Sequence, residues 1–105
     1  MRDLLLGIDV GTTAAKAAFF TLDGRLQSLG QAVYPLSTPL PNAAEQSPDD
    51  WWHAVCHAVQ QALNAVPAAA ERVIGLAISS QAPTLLPVDR DGQPLRPALI
   101  WMDRR

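Results

Sequence analysis

Cysteine is almost missing from this chain: Cys56 stands alone in 105 residues. No internal disulfide can form, so packing and hydrogen bonds must hold the fold, and a reducing, cytoplasmic setting is expected. Charge is scarce as well, at 17% of residues with a net of −2. The pI near 5.5 leaves no basic stripe to track a phosphate backbone, which argues against nucleic acid as a partner. Arg96, Arg104 and Arg105 gather near the end, but three arginines are no electrostatic footprint. No apolar run approaches the roughly 20 residues of a membrane-spanning helix, so no membrane partner is expected. Arg2 is followed at once by Asp3, and the next apolar run ends at Asp9, which reads as a strand and not a secretory signal. Internal repeats and low-complexity tracts are absent, apart from the short Ala68-Ala69-Ala70 linker.

What is present is apolar. Hydrophobic residues make up 49% of the chain, enough for the core of one small domain and too many for disorder. Leu4 to Ile8 is apolar on both faces, as a central strand should be. Ala14 to Phe20 reads as a second strand. The turn Leu22-Asp23-Gly24-Arg25 leads into a third, Leu26 to Tyr34, with Leu26, Ser28, Gly30, Ala32 and Tyr34 on one face. The three make an antiparallel meander. Pro35 to Pro48 reads as a loop. A helix follows, with Ser47 as N-cap, Pro48 in first position and Asp49 and Asp50 at the positive end of its dipole.

The spacing of Trp52, Val55, Cys56, Val59, Leu63 and Val66 predicts one buried helical stripe. Trp52 and Cys56 are therefore expected in the core, with Trp51 at its edge. His53 and His57 have metal-ligand spacing but are read as a solvated face. Pro67 ends the helix. Val73 to Ser79 then reads as a strand parallel to the sheet, because a helix intervenes. Thr84 to Val88 and Ala98 to Trp101 flank Asp89-Arg90-Asp91-Gly92 and suggest a second hairpin.

The chemistry concentrates in Gly7-Ile8-Asp9-Val10-Gly11-Thr12-Thr13-Ala14-Ala15-Lys16. An apolar strand delivers a lone carboxylate, a glycine, two hydroxyls and then a lysine. Asp9 can hold Mg²⁺ through its waters, since Mg²⁺ takes oxygen ligands and keeps several waters. Gly11 admits a phosphate close to the backbone. Thr12 and Thr13 offer hydroxyls and N–H groups, and Lys16 a cation. An Asp-x-Gly-Thr sequence can also be an ordinary turn; the apolar run before it and the paired hydroxyls favour a phosphate site. Thr21-Leu22-Asp23-Gly24 lacks the nucleophile of a haloacid-dehalogenase phosphatase, and Asp89 to Gly92 lacks the spacing of an EF-hand.

Meander, helix and strand, with Asp-x-Gly-Thr at the first turn, resemble the α/β ribonuclease-H-like (actin-like ATPase) half-domain. Within it the chain resembles the N-terminal part of an FGGY carbohydrate kinase, xylulokinase-like in character. Gly7 to Lys16 is similar to the family's first phosphate motif. Glu45-Gln46-Ser47-Pro48-Asp49-Asp50-Trp51-Trp52 is similar to a xylulokinase segment. Gly75-Leu76-Ala77-Ile78-Ser79-Ser80-Gln81 is similar to the strand that ends at the sugar site. Asp91 to Arg105 is similar to the Asp-Gly-x-Pro-Leu-x-Pro-x-Ile-x-Trp-x-Asp-x-Arg block. These blocks span most of the chain in the family's order.

The resemblance implies transfer of the γ-phosphoryl group of ATP to a hydroxyl of a sugar or polyol, a xylulose-like ketose foremost. It implies Mg²⁺ at Asp9, phosphates at Gly11, Thr12, Thr13 and Lys16, and substrate at Gln81, Trp101, Asp103 and Arg105. Asp103 and Arg105 would bind polar groups or brace the site. Two departures stand out. Xylulokinases usually follow the glutamine with Met-His-Gly, and glycerol kinases with Arg-Glu; here Ala82-Pro83-Thr84 follows Gln81. The family's catalytic aspartate and adenosine-holding domain also lie far downstream and have no counterpart in residues 1–105. These residues are thus read as the N-terminal portion of kinase domain I, inactive alone. A homodimer stays open. So does a non-catalytic actin-like or Hsp70-like nucleotide module, which the Gln81 and Trp101 blocks disfavour. A ribonuclease-H-like nuclease would need several metal-binding carboxylates on adjacent strands, and only Asp9 is suitably placed.

Overall fold

The computed structural model describes residues 1–105. Strands β1 (Leu4–Val10), β2 (Ala14–Thr21) and β3 (Leu26–Val33) form the expected meander. Gly24 sits at φ +90° in the β2–β3 turn, a conformation open to glycine at little steric cost. After a two-residue strand β4 (Glu45–Gln46), helix α1 (Pro48–Asn64) and one-turn helix α2 (Ala69–Arg72) lead into β5 (Val73–Ser80). β5 pairs with β1 in parallel, so the sheet order is β3-β2-β1-β5. β6 (Ala98–Leu99) pairs with β4.

The helix packs through a face the spacing of large residues did not indicate. Ala54, Ala58 and Ala62 are its buried residues, at intervals of four along one stripe. Val59 and Leu63 pack at the edge of the main core around Leu4, Leu6, Ala17 and Phe19. Trp52, expected in the core, is 65% exposed, and Cys56 is exposed as well. The reason is Gly30 on β3. A Cβ there would lie 1.9 Å from the Ala58 carbonyl oxygen, so the helix backbone rides directly on the strand. Only small residues fit between them, so Trp52 and Cys56 rotate outward, while Val59, Leu63 and Val66 of the expected stripe stay against the core. Ser28, two residues back on the same face, donates its hydroxyl to the Ala62 carbonyl at 2.9 Å and fastens the helix one turn later. Trp51, expected at the stripe's edge, is half-buried beside the small cluster of Ala15, Tyr34 and Ala54. Ser47 occupies the N-cap position, but its side chain makes no cap bond.

Two stretches differ from the sequence reading. The expected loop from Pro35 to Pro48 contains β4, and Ser37 bridges Glu45 through paired backbone bonds of 2.9 and 2.8 Å. The expected hairpin of Thr84–Val88 with Ala98–Trp101 survives only as the bridges Leu85 to Leu99 and Val88 to Pro94. Pro87, Pro94 and Pro97 lack the N–H groups a regular ladder needs. Leu99 instead sits between Leu85 on one side and Glu45 on the other. The Ala68–Ala70 linker is partly helical, entered through Ala68 at φ +54°. β5 is an edge strand, and Ile74, Leu76 and Ile78 are all more than half exposed.

Charge locks the short β4–β6 layer. Glu45 accepts from Arg96 at 2.6 Å and from Arg105 at 2.5 Å. Asp103 accepts from the Ala44 N–H at 2.8 Å and from the Arg105 guanidinium at 2.8 Å. Arg105 is the main reason both carboxyls fall below their ordinary values of 4.5 and 3.8. Their protonation is thus disfavoured in the folded state. The stability they contribute is present above those ordinary values and is lost as the pH falls through the lowered folded ones.

Two predictions follow from this packing. Gly30→Ala should lower the unfolding free energy by about 3 kcal/mol, because backbone rather than a flexible side chain blocks the new methyl; urea denaturation measures it, and an unchanged midpoint would refute the close approach. The thermal midpoint should drop as the pH is lowered below about 4, and Glu45→Gln should make that drop shallower. Superimposable pH profiles for the two proteins would remove Glu45 from the account.

Candidate phosphate and sugar site

β1 brings Asp9 to the end of the sheet between two partners. Asp9 lies opposite Lys16 on β2 and opposite Ser79 on β5. Residues paired across a sheet share a face, and alternation puts this face opposite the one covered by α1. A cleft of about 390 Å³ runs along it, lined by Gly7, Asp9, Lys16, Phe20, Ala77 and Ser79 among others. Asp9 and Lys16 are both exposed, and no ion pair joins them. A carboxylate and an ammonium group therefore stand side by side on an open floor.

The turn beyond Asp9 is tight. The Gly11 N–H donates to the Ala14 carbonyl at 3.0 Å, and the Thr12 and Thr13 N–H groups take no backbone acceptor. A Cβ at residue 11 would come within 3.3 Å of the Ala14 oxygen and 3.8 Å of the Asp9 carboxylate, so glycine keeps the approach to Asp9 clear. Tyr34 donates its hydroxyl to the Gly11 carbonyl. Burial, and then the Asp9 charge, push the Tyr34 phenol up from its ordinary value, so it stays a donor and holds the turn from behind.

On the other side of the turn Thr12 meets the sugar-side candidates. Its hydroxyl donates to Gln81 Oε1 at 3.1 Å and accepts from the Trp101 indole at 2.8 Å. Gln81 is placed by the end of β5, where its N–H donates to the Val10 carbonyl at 2.9 Å. Gln81 then faces a groove of about 410 Å³ between α1 and the β1–β5 edge, lined also by Trp51, Trp52, Val55 and Ile78. Trp101 lines a neighbouring, smaller hollow of about 240 Å³ with Pro83, Thr84, Asp103 and Arg105. The structure thus joins Thr12, Gln81 and Trp101 through one hydroxyl. Asp103 and Arg105 are brought to the same end, but their charges are spent on each other, on Glu45 and on Ala44. His53, Cys56 and His57 are exposed on α1, with His53 and His57 beside a hollow lined by Ala32 to Pro35.

Sequence reasoning gave Gln46 no role. It is 2% exposed and touches three parts of the site. Its amide donates to the Thr12 carbonyl at 2.6 Å, and its Oε1 accepts from the Trp51 indole at 3.0 Å and from Gln81 Nε2 at 2.8 Å. The available signal was its place beside Glu45, just before a helix start. Nothing in the pattern disclosed that those two residues form a buried strand.

Comparison with known proteins identifies the family. Residues 4–105 match the N-terminal domain of the FGGY family of carbohydrate kinases. A glycerol kinase of Thermus brockianus is 37% identical over 102 residues, covering 96% of this chain and 21% of that protein. A gluconokinase of Bacillus subtilis is 33% identical, covering 100% of this chain and 20% of that protein. The crystal structure of a xylulose kinase from Rhodospirillum rubrum superposes with a TM-score of 0.92 at 25% identity, over 97% of this chain and 21% of that one. The chain spans about a fifth of the length of the curated relatives it matches. The α/β sheet with its covering helix is the ribonuclease-H-like, actin-like ATPase architecture of these kinases. Sequence and fold lead to one conclusion: this chain belongs to the FGGY family of carbohydrate kinases, and its residues 4–105 match that family's N-terminal domain.

Proposed function

We propose that the protein transfers the γ-phosphoryl group of ATP to a hydroxyl of a sugar or polyol, with a xylulose-like ketose as the favoured acceptor. One observation carries this reading. The Asp9–Lys16 floor and the Gln81–Trp101 pair meet at a single turn, Gly11 to Thr13, with Thr12 shared between them. A phosphate chain on the floor and a polyol against Gln81 and Trp101 would be neighbours across that turn. The ketose preference draws on the Glu45 to Trp52 block and on the likeness to xylulose kinases. Ala82 and Pro83 offer no polar side chain to a sugar, so further hydroxyl contacts would come from other segments.

Each residue has a physical role in the transfer. The sugar oxygen forms a bond to the γ-phosphorus while the bond from that phosphorus to the β,γ-bridging oxygen breaks, and ADP leaves. Such catalysis is mostly positioning and charge neutralisation. Lys16 would offset charge on the phosphates, and the Thr12 and Thr13 N–H groups would donate to their oxygens. Asp9 would hold Mg²⁺. A single exposed carboxylate suits a hydrated ion that shares its ligands with phosphates, and no three acidic, histidine or cysteine side chains form a closed cage here. When bound, the ion supplies charge neutralisation at the phosphates.

Trp101 gives the carbon skeleton an apolar wall, and Gln81 offers hydrogen bonds to hydroxyls. Asp103 and Arg105 would brace Glu45 and the Ala44 backbone. Asp103, held well below the carboxylate range by Arg105, is a poor proton acceptor. The base that takes the proton of the attacking hydroxyl would come from a segment other than residues 1–105, and these residues alone would not turn over.

Asp9→Ala in the full-length enzyme should cut kcat by about a hundredfold or more with the fold retained. Normal turnover in that variant would sink the assignment. Trp101→Ala should chiefly raise the KM for the sugar and leave the KM for ATP near its starting value. An unchanged sugar KM would assign the indole to bracing Thr12 alone.

A further inference from the structure

The hydrogen bonds around Gln46 have a fixed direction, and that direction reaches Gln81. An indole N–H can only donate, and a backbone carbonyl can only accept. Trp51 Nε1 lies 3.0 Å from one end of the Gln46 amide, and the Thr12 carbonyl lies 2.6 Å from the other. Both neighbours demand the same sense: oxygen toward Trp51 and nitrogen toward Thr12. The Gln46 oxygen is then the acceptor that meets Gln81 at 2.8 Å, so Gln81 must present its NH₂ there. The Gln81 oxygen is thereby turned to the Thr12 hydroxyl at 3.1 Å. That hydroxyl spends its proton on Gln81, and Trp101 donates to its lone pair at 2.8 Å. Two donor-only indoles and one acceptor-only carbonyl thus set every amide in the ring.

We infer that Gln46 is a positioning residue for the sugar: it fixes the sense of the Gln81 amide, so that Gln81 offers its second N–H to an acceptor oxygen of the substrate. This rests on the kinase reading above and on Gln81 as a sugar contact. An amide free to flip presents donor and acceptor in turn, and the wrong sense sets like groups face to face. Gln46 is 2% exposed and is not among the residues that line the groove, so it acts through Gln81 without touching substrate. The inference gives the buried Glu45-Gln46 strand a purpose. β4 carries one side chain that pins the β4–β6 layer through Arg96 and Arg105, and another that orients the amide at the end of β5.

The test is a double-mutant cycle in the full-length enzyme, reading kcat, sugar KM and ATP KM for wild type, Gln46→Met, Gln81→Leu and the double variant. Methionine keeps the length of the side chain and removes its polarity. Gln46→Met should raise the sugar KM about tenfold, the size expected for losing one to two oriented hydrogen bonds, with ATP KM within about twofold. In the Gln81→Leu background the same change should add less than about twofold, because the amide it orients is gone. Additive effects, or a sugar KM unmoved by Gln46→Met while Gln81→Leu raises it, would overturn the positioning role and leave the kinase reading standing. A sugar KM unmoved by Gln81→Leu would overturn the Gln81 contact and this inference with it.

If Gln46→Met does not fold, Gln46→Glu serves in its place. The protonated acid can still donate to the Thr12 carbonyl and the ionised one cannot, so its sugar KM should rise with pH relative to wild type. A pH profile parallel to wild type would count against the role.

Discussion

The Thr12 side chain and carbonyl are the point on which the site depends. Four segments meet there: the β1–β2 turn itself, β4 through Gln46, the end of β5 through Gln81 and the C-terminal stretch through Trp101, while the first turn of α1 reaches it at one remove, through Trp51 on Gln46. A network of half-buried hydrogen bonds is rigid only when every member is satisfied. No buried side-chain polar atom in the protein lacks a partner, so the network meets that condition.

A steric constraint sets the frame around this point. Because Gly30 lets α1 approach the sheet at Ala58, the helix lies over β2 and β3 and leaves the β1–β5 edge open. That offset creates the groove into which Gln81 faces, with Trp51 and Trp52 on its rim. A helix seated on larger residues would stand farther from β3 and could not keep its alanine face in contact. The exposed Trp52 is thus a consequence of the packing at Gly30 and forms part of the site's wall. On the opposite face of the sheet the Asp9–Lys16 floor stays open, and the clefts on the two faces share Ile8 and Ile78 in their lining.

The meander, the helix, the parallel return of β5 and the Asp9 to Lys16 turn were legible in the sequence, because each rests on local signals: apolar runs, a turn with Asp-Gly, Pro48 at a helix start. Elsewhere the deciding contact is distant in sequence. The stripe through Trp52 and Cys56 followed the large side chains, but Gly30, some thirty residues upstream, selected the alanine face. β4 was hidden among prolines because its partner, Ala98–Leu99, lies far along the chain. Gln46 was missed for the same reason: two of its three partners, Thr12 and Gln81, lie far from it in the chain. The resemblance implies phosphates at Thr12; in the structure its hydroxyl bonds Gln81 and Trp101.

The claim that joins these observations is that the two faces serve one reaction, phosphoryl transfer from ATP to a polyol. The most direct measurement is ADP release from Mg-ATP by the purified full-length protein across ketopentoses, alditols, glycerol and gluconate. The account predicts release that depends on one class of these acceptors and stays near background without it. ATP binding with no acceptor-dependent release from any of them would contradict it and point to a nucleotide-binding module without transfer chemistry.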